Sequence, residues 1–170
     1  MSIKTLAPAA LLGGITIFVW GLLVHMVLIP DTIRSYKDSR AVMIFVDAQA
    51  HDNGAYFDPQ GAFMTVARTP GNSERVPTSQ TLSYELLTNI LQAIILGWIL
   101  KRISSPSIRG YARLAAMIGM AAFVAIDLSN WNWYGFPPSM TMQSMVDGVG
   151  GSFLAGAVIG WYQKEWSARI

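Results

Sequence analysis

Apolar residues gather in four stretches of this chain, at about residues 9–28, 81–100, 111–129 and 140–162, with polar residues concentrated between them. Each stretch is close to the roughly 20 residues an α-helix needs to cross the hydrocarbon core of a bilayer. A backbone in lipid must satisfy its own hydrogen bonds, so the pattern predicts four helices rather than strands. Pro8 and Pro30 bracket the first stretch, Lys101 and Arg102 close the second, and Lys164 closes the fourth. The expected fold is an all-α, four-helix membrane bundle forming one integral membrane domain over residues 1–170.

Residues 31–80 break this pattern. "DSRAVMIFVDAQAHDNG" reads as a short helix, with Asp38 or Ser39 as N-cap and Gly54 as the stop. "AYFDPQGAFMTVA" reads as a hairpin, with Asp58-Pro59-Gln60-Gly61 turning between two apolar arms. The following "RTPGNSERVPTS" reads as an irregular strap. Helix plus hairpin bury little surface by themselves, so this insertion is expected to rest on the membrane face or against another protein.

Charge supplies orientation. Only 13% of the 170 residues are charged, about half the share of a soluble domain. From Thr5 to Pro30 there is no Lys, Arg, Asp or Glu. That uncharged run is too long for the apolar core of a signal peptide and lacks a small-x-small cleavage pattern, so a retained helix is expected. Lys101, Arg102, Arg109 and Arg113 surround the loop between the second and third stretches, while Lys4, Lys164 and Arg169 mark the ends. Basic residues favour the cytoplasmic side, which predicts both termini inside a bacterial inner membrane. Residues 31–80 and 130–139 then lie on the outer, periplasmic face. The net charge of +2 gives no reason to expect a nucleic-acid partner.

Against this apolar background the polar residues stand out. His25, Glu85, Asn89, Asp127 and Asp147 fall near the outer ends of the four stretches, within roughly 5–15 Å of the boundary at 1.5 Å per residue. Ionisable groups there are costly and face the bundle or water. They suit a proton-accepting or polar-ligand vestibule, or a divalent metal held by imidazole and carboxylates; helix capping at the water level explains them equally well. Gly148, Ser152, Gly156 and Gly160 recur every fourth residue, widened by Gly151 and Ala155. Such a stripe lets helix backbones approach closely, with Ala112, Ala115, Ala116, Gly119 and Ala122 as a partner face, or a separate subunit or flat cofactor in their place. Trp131, Trp133 and Tyr134 sit where the third helix leaves the membrane and read as interfacial anchors, with Trp20, Trp98, Trp161, Tyr162 and Trp166 at comparable depths.

The chemistry available is narrow. With no cysteine, iron–sulfur clusters and thiolate metal sites are excluded. His25 and His51 lie in different compartments, so a bis-histidine haem inside the bundle is excluded too; a lipid or a single pigment on His25 remains open. No G-x-S-x-G elbow, H-E-x-x-H pair or Walker-type loop occurs, and no catalytic residue is assigned.

"LLGGITIFVWGLLVHMVLIPDT", "GAYFDPQG" and "AIDLSNWNWYGFP" together resemble a family of small four-helix bacterial membrane proteins. The stretch from Asp127 through "WNWYGFP" is the most specific part of the likeness. The resemblance implies the four-helix fold and brings no activity, cofactor or site residue.

Three roles fit these features. One is a non-catalytic accessory subunit packed into a larger membrane assembly, such as a respiratory or photosynthetic complex, or a homo-oligomer. Another is a small oligomeric transporter or an ion- or metal-handling protein using the outer polar cluster. The last is a membrane-embedded enzyme acting on lipid or quinone. Membrane lipids are the partners common to all three.

Overall fold

A computed structural model describes residues 3–30, 36–50, 52, 54–57, 63–66, 78–103 and 107–167. The chain divides into two compact units, Met1–Thr32 together with Ser79–Ile170, and Ile33–Thr78.

The first unit is a helical bundle. It comprises α1 (Ile3–Leu23), continued by one π-helical turn at Val24–Leu28, then α3 (Thr78–Arg102), α4 (Ile108–Tyr134) and α5 (Pro138–Ser167). Local chemistry sets several ends. Ser107 caps α4 by accepting a hydrogen bond from the Gly110 amide at 3.0 Å. Gly135 ends the same helix in the left-handed conformation, φ 65° and ψ 31°, which glycine adopts without steric cost. Several boundaries differ from the sequence expectation. α1 starts at Ile3, so Pro8 lies inside it; near a helix start, proline removes a single backbone bond. The segment "WNWY" belongs to the last turns of α4 rather than to a loop, and only Gly135–Pro137 joins α4 to α5. The π turn carried no signal in the residue pattern.

Neighbouring helices run antiparallel. Gly13 lies against Ile159 and Gly21 against Asp147, which aligns α1 with α5. Gly119 faces Ser152 while Gly156 and Gly160 face Tyr111, which aligns α4 with α5. Gly14 packs on Ile90 and Gly97 on Leu6, which aligns α1 with α3. At the centre, Ala10, Ile17, Ala93, Leu96, Leu100, Tyr111, Ala115, Ala155 and Ile159 form one buried apolar cluster. Outside it the usual order is inverted. Leu11, Ile15 and Val19 of α1, Leu87, Leu91 and Ile95 of α3, and Met117, Val124 and Ile126 of α4 are all exposed. Large contiguous apolar surface in a folded chain marks a membrane or protein contact.

Among the described residues, three segments are long and apolar enough to cross a membrane: Leu6–Leu28, Ser79–Arg102 and Ile108–Tyr134. Only 22% of the most apolar stretch of each is buried inside the protein, so the remainder is free to meet lipid. These segments are what an integral membrane protein requires. α5, with 30 residues, is the longest helix described yet is not among the three. Its glycines, Gln143, Asp147 and Ser152 lower its hydropathy, and most of them face neighbouring helices.

The second unit contains α2 (Ser39–Gln49) and a hairpin of β1 (Gly54–Phe57) and β2 (Phe63–Val66), paired antiparallel with Gly54 opposite Val66 and Phe57 opposite Phe63. Asp38 is the N-cap, accepting from the Ala41 amide at 2.9 Å. α2 stops at Gln49, earlier than Gly54, which instead opens β1. Val46 and Ala50 are buried against Val42, Tyr56 and Met64, so the small core lies between one face of α2 and the hairpin. The turn Asp58-Pro59-Gln60-Gly61, His51 and the strap after Val66 lie outside the described residues.

Candidate functional site

Four of the five polar residues singled out in the sequence converge at one end of the bundle. His25 Nε2 and Asp147 Oδ2 are 3.1 Å apart, joining α1 to α5. Glu85 of α3 lines the same cavity, and its Oε1 accepts a hydrogen bond from Asn89 Nδ2 at 3.2 Å. The cavity is about 260 Å³ and is completed by Phe18, Gly21 and Leu22. Its walls therefore come from α1, α3 and α5.

Backbone features place each group. Phe18, Gly21, Leu22 and His25 are spaced three, one and three residues apart, which puts them on one helical stripe of α1. His25 enters the π turn, whose Ile29 amide donates to the Val24 carbonyl at 2.9 Å. Such single wide turns within α-helices are frequent at functional positions. The turn leaves the Ile29 carbonyl outside the regular helix ladder, where it accepts from Gln143 Nε2 at 2.7 Å. Gln143 and Asp147 are four residues apart on α5, so the same face that holds the α1 end also presents the carboxylate. Gly21 keeps that carboxylate uncovered, since a Cβ there would stand 3.4 Å from Asp147 Oδ1.

Below the cavity the seam is polar for one more step and then closes. Trp20 Nε1 donates to the Val146 carbonyl at 3.0 Å, and Gly150 leaves the slot for its ring, because a Cβ there would lie 2.7 Å from Nε1. Trp20 is therefore turned toward α5. Buried Asn89 sits beneath Glu85, and Gln92 Nε2 donates to Ser152 Oγ at 3.3 Å. Deeper still, Ala93, Leu96, Ala155 and Ile159 are fully or almost fully buried and apolar. The polar file is closed at one end by this plug.

Asp127 does not join the cluster. It stands near the end of α4, a helix that packs on α5 and contributes nothing to the cavity wall. The members that line this cavity come from three of the four helices. Among the described residues no three of His, Asp and Glu lie close enough together to hold a metal ion.

The remaining sequence candidates separate cleanly. A Cβ on Gly156 would collide with Ala115, one on Gly160 would lie 2.7 Å from the Tyr111 ring, and Ser152 faces Gly119. That stripe is occupied by α4 within the chain. Gly148, its fourth member, has nothing within 4 Å of the position of a Cβ. Trp131, Trp133 and Tyr134 are exposed, with Trp133 at 74% the most open large hydrophobic side chain described, as an interfacial belt requires. At the opposite end the Arg102 guanidinium lies 4.5 Å over the Trp98 ring, a cation–π contact. Phe18, Gly21, Trp20 and Gln143 are site residues that the sequence reading did not identify. Gln143 had one legible signal, its place four residues before Asp147 on an otherwise small-residue helix.

No protein-family model, curated protein or solved structure matches this chain.

Proposed function

We propose that this chain is a small ion- or solute-handling membrane protein whose working site is the one-ended cavity lined by His25, Glu85 and Asp147. The observation that carries the reading is the convergence of an imidazole and two carboxylates from three helices on one cavity of about 260 Å³. In lipid such groups are costly unless they face water, a partner or a ligand. The apolar plug beneath the cavity makes it a binding vestibule rather than an open pore.

The reading includes four crossings. α5 lies along α1 and α4 from its Asp147 end to Gly160, so a membrane that contains α1 and α4 contains α5 as well. The basic residues Lys101, Arg102, Arg109 and Arg113 share the end away from the cavity. By the positive-inside rule that end is cytoplasmic and the cavity opens outward, to the periplasm in a bacterial inner membrane. Because the chain contains no cysteine, single introduced cysteines at Ser107 and Ser139 read this directly. Labelling from outside is expected at Ser139 alone.

The accessory-subunit role draws on the small-residue stripe, and in this bundle the stripe is filled by α4. A lipid or quinone enzyme has a second cleft to draw on, about 390 Å³ between α3 and α4 over Gln92 and Ser152, but no titratable side chain lines it.

The functional test is ligand-dependent stability of the purified full chain in nanodiscs. A ligand bound by the folded state alone raises Tm with its concentration. Salt, pH and small solutes are screened against wild type and the Glu85→Gln/Asp147→Asn double variant. A shift seen in wild type and lost in the variant supports the vestibule. Equal behaviour of both proteins, together with native mass spectrometry showing a stable assembly with other polypeptides, supports the accessory role instead.

A further inference from the structure

We propose that the ligand of this vestibule is a small organic cation of the alkylammonium class, and that it competes with His25 for the Asp147 carboxylate. The inference rests on the vestibule being a ligand site.

Charge sets the sign of the ligand. The ionisable groups lining the cavity are His25 from α1, Glu85 from α3 and Asp147 from α5, and α4 contributes none. Two carboxylates share the cavity with one imidazole, so acidic groups outnumber basic ones whether the imidazole is neutral or protonated. The clustered Lys and Arg residues of the bundle stand at its far end. An anion is disfavoured in either state.

Size and walls set the chemical class. A water molecule occupies about 30 Å³ of liquid, so a cavity of about 260 Å³ is far larger than a dehydrated inorganic ion. The described residues also lack the converging donor set that a bare metal ion needs. Phe18 and Leu22 supply apolar wall beside the two carboxylates. An aromatic ring within about 6 Å attracts an ammonium through its quadrupole, and the alkyl part of the ligand is sheltered by Leu22. A hydrated inorganic cation gains from neither contact.

The His25–Asp147 pair adds regulation. Asp147 Oδ2 is held at 3.1 Å from the imidazole, whereas Oδ1 faces the open space left by Gly21. The Asp147 side chain is 29% exposed and that of His25 54%, so both are reachable from the mouth. A proton on His25 creates an ion pair that neutralises Asp147. An ammonium on Asp147 replaces that pair and releases the proton to solvent. Linkage makes the effect reciprocal, so acidification weakens the cation and the cation expels the proton.

The test is calorimetric titration of the full chain in nanodiscs of neutral lipid with tetramethylammonium chloride, and with potassium chloride in parallel. It is run at pH 5 and pH 8, on either side of the range in which histidines change charge. Wild type is expected to bind tetramethylammonium at pH 8 and to lose at least tenfold in affinity at pH 5. Repeating the titration at an intermediate pH, in two buffers of different ionisation enthalpy, is expected to show proton release. Asp147→Asn and Glu85→Gln each weaken binding at least tenfold, Phe18→Leu weakens it several-fold, and His25→Gln removes the pH dependence. Glu85 is exposed, so its variant serves even if Asp147→Asn folds poorly. Binding of potassium or protons through Asp147 without any tetramethylammonium signal overturns the ammonium class and keeps the vestibule. PH dependence that survives His25→Gln overturns the competition. Absence of any Asp147- or Glu85-dependent response overturns the ligand class and the vestibule together.

Discussion

Two glycines in the same stripe of α5 are expected to respond to alanine in opposite directions. Gly156 lies against Ala115, the Tyr111 carbonyl and Ala112 Cα; a Cβ there would stand 2.8 Å from the carbonyl oxygen and 3.1 Å from Cα. Backbone atoms cannot rotate away, so α4 and α5 must separate locally. Overpacking of this kind costs about 1–3 kcal/mol, and the gain in helix propensity returns about 0.8–1 kcal/mol. The net loss for Gly156→Ala is therefore up to about 2 kcal/mol. Gly148 has nothing within 4 Å of the same position, so Gly148→Ala keeps the propensity gain and stabilises by about 0.5–1 kcal/mol. The assay is reversible unfolding of the two variants in mixed detergent micelles, followed by helical circular dichroism. A difference of about 2 kcal/mol between them corresponds to roughly a thirtyfold change in the folding equilibrium. If Gly156→Ala is as stable as Gly148→Ala, the α4–α5 contact described above is wrong.

Further outcomes are expected elsewhere in the chain. Trp20→Phe removes the bond to the Val146 carbonyl at 3.0 Å while keeping an aromatic ring, which costs about 0.5–1.5 kcal/mol; the same unfolding assay reads it, and an unchanged midpoint contradicts the inward placement of the ring. Gly135→Ala forces a side chain into the left-handed conformation at φ 65°, which costs about 1–2 kcal/mol and lowers the thermal midpoint. Asp38→Ala removes the cap on the Ala41 amide and costs about 0.5–2 kcal/mol, seen as faster amide exchange in the first turn of α2. Gln143→Leu breaks the tie to the Ile29 carbonyl at 2.7 Å in a 5% exposed position; the expected readout is faster amide exchange in the π turn around His25.

Much of the architecture was legible in the residue pattern, and the reasons are local. A run of 26 residues without Lys, Arg, Asp or Glu allows few structures in lipid, and shorter uncharged runs at 86–100 and 114–126 mark the two other helices of membrane-crossing length and composition. Asp38, Ser107 and Gly135 set helix ends through their own side chains or lack of one, so the short α2 and its cap were predictable. The hairpin followed from two apolar arms flanking a turn sequence. One boundary was misread although its signal is local. "WNWY" has the composition of an interface, yet it continues α4 because the left-handed stop comes only at Gly135.

The site divides along the same line. Residue types and spacing alone marked His25, Glu85, Asn89 and Asp147 as unusual, because a polar group within an apolar run is costly wherever the chain folds. They also marked Asp127, equally polar and at equal depth, and nothing one-dimensional separates it from the others. The tertiary structure separates them: α1, α3 and α5 enclose the cavity, and α4 packs on α5 without lining it. Likewise Gly148 and Gly156 are equivalent as letters, and only the placement of Tyr111 and Ala115 makes one indispensable and the other dispensable. Sequence determined which segments suit lipid, through free energies that add residue by residue. Which polar groups meet is a property of how helices pair, and that depends on shape at distances the linear pattern does not encode.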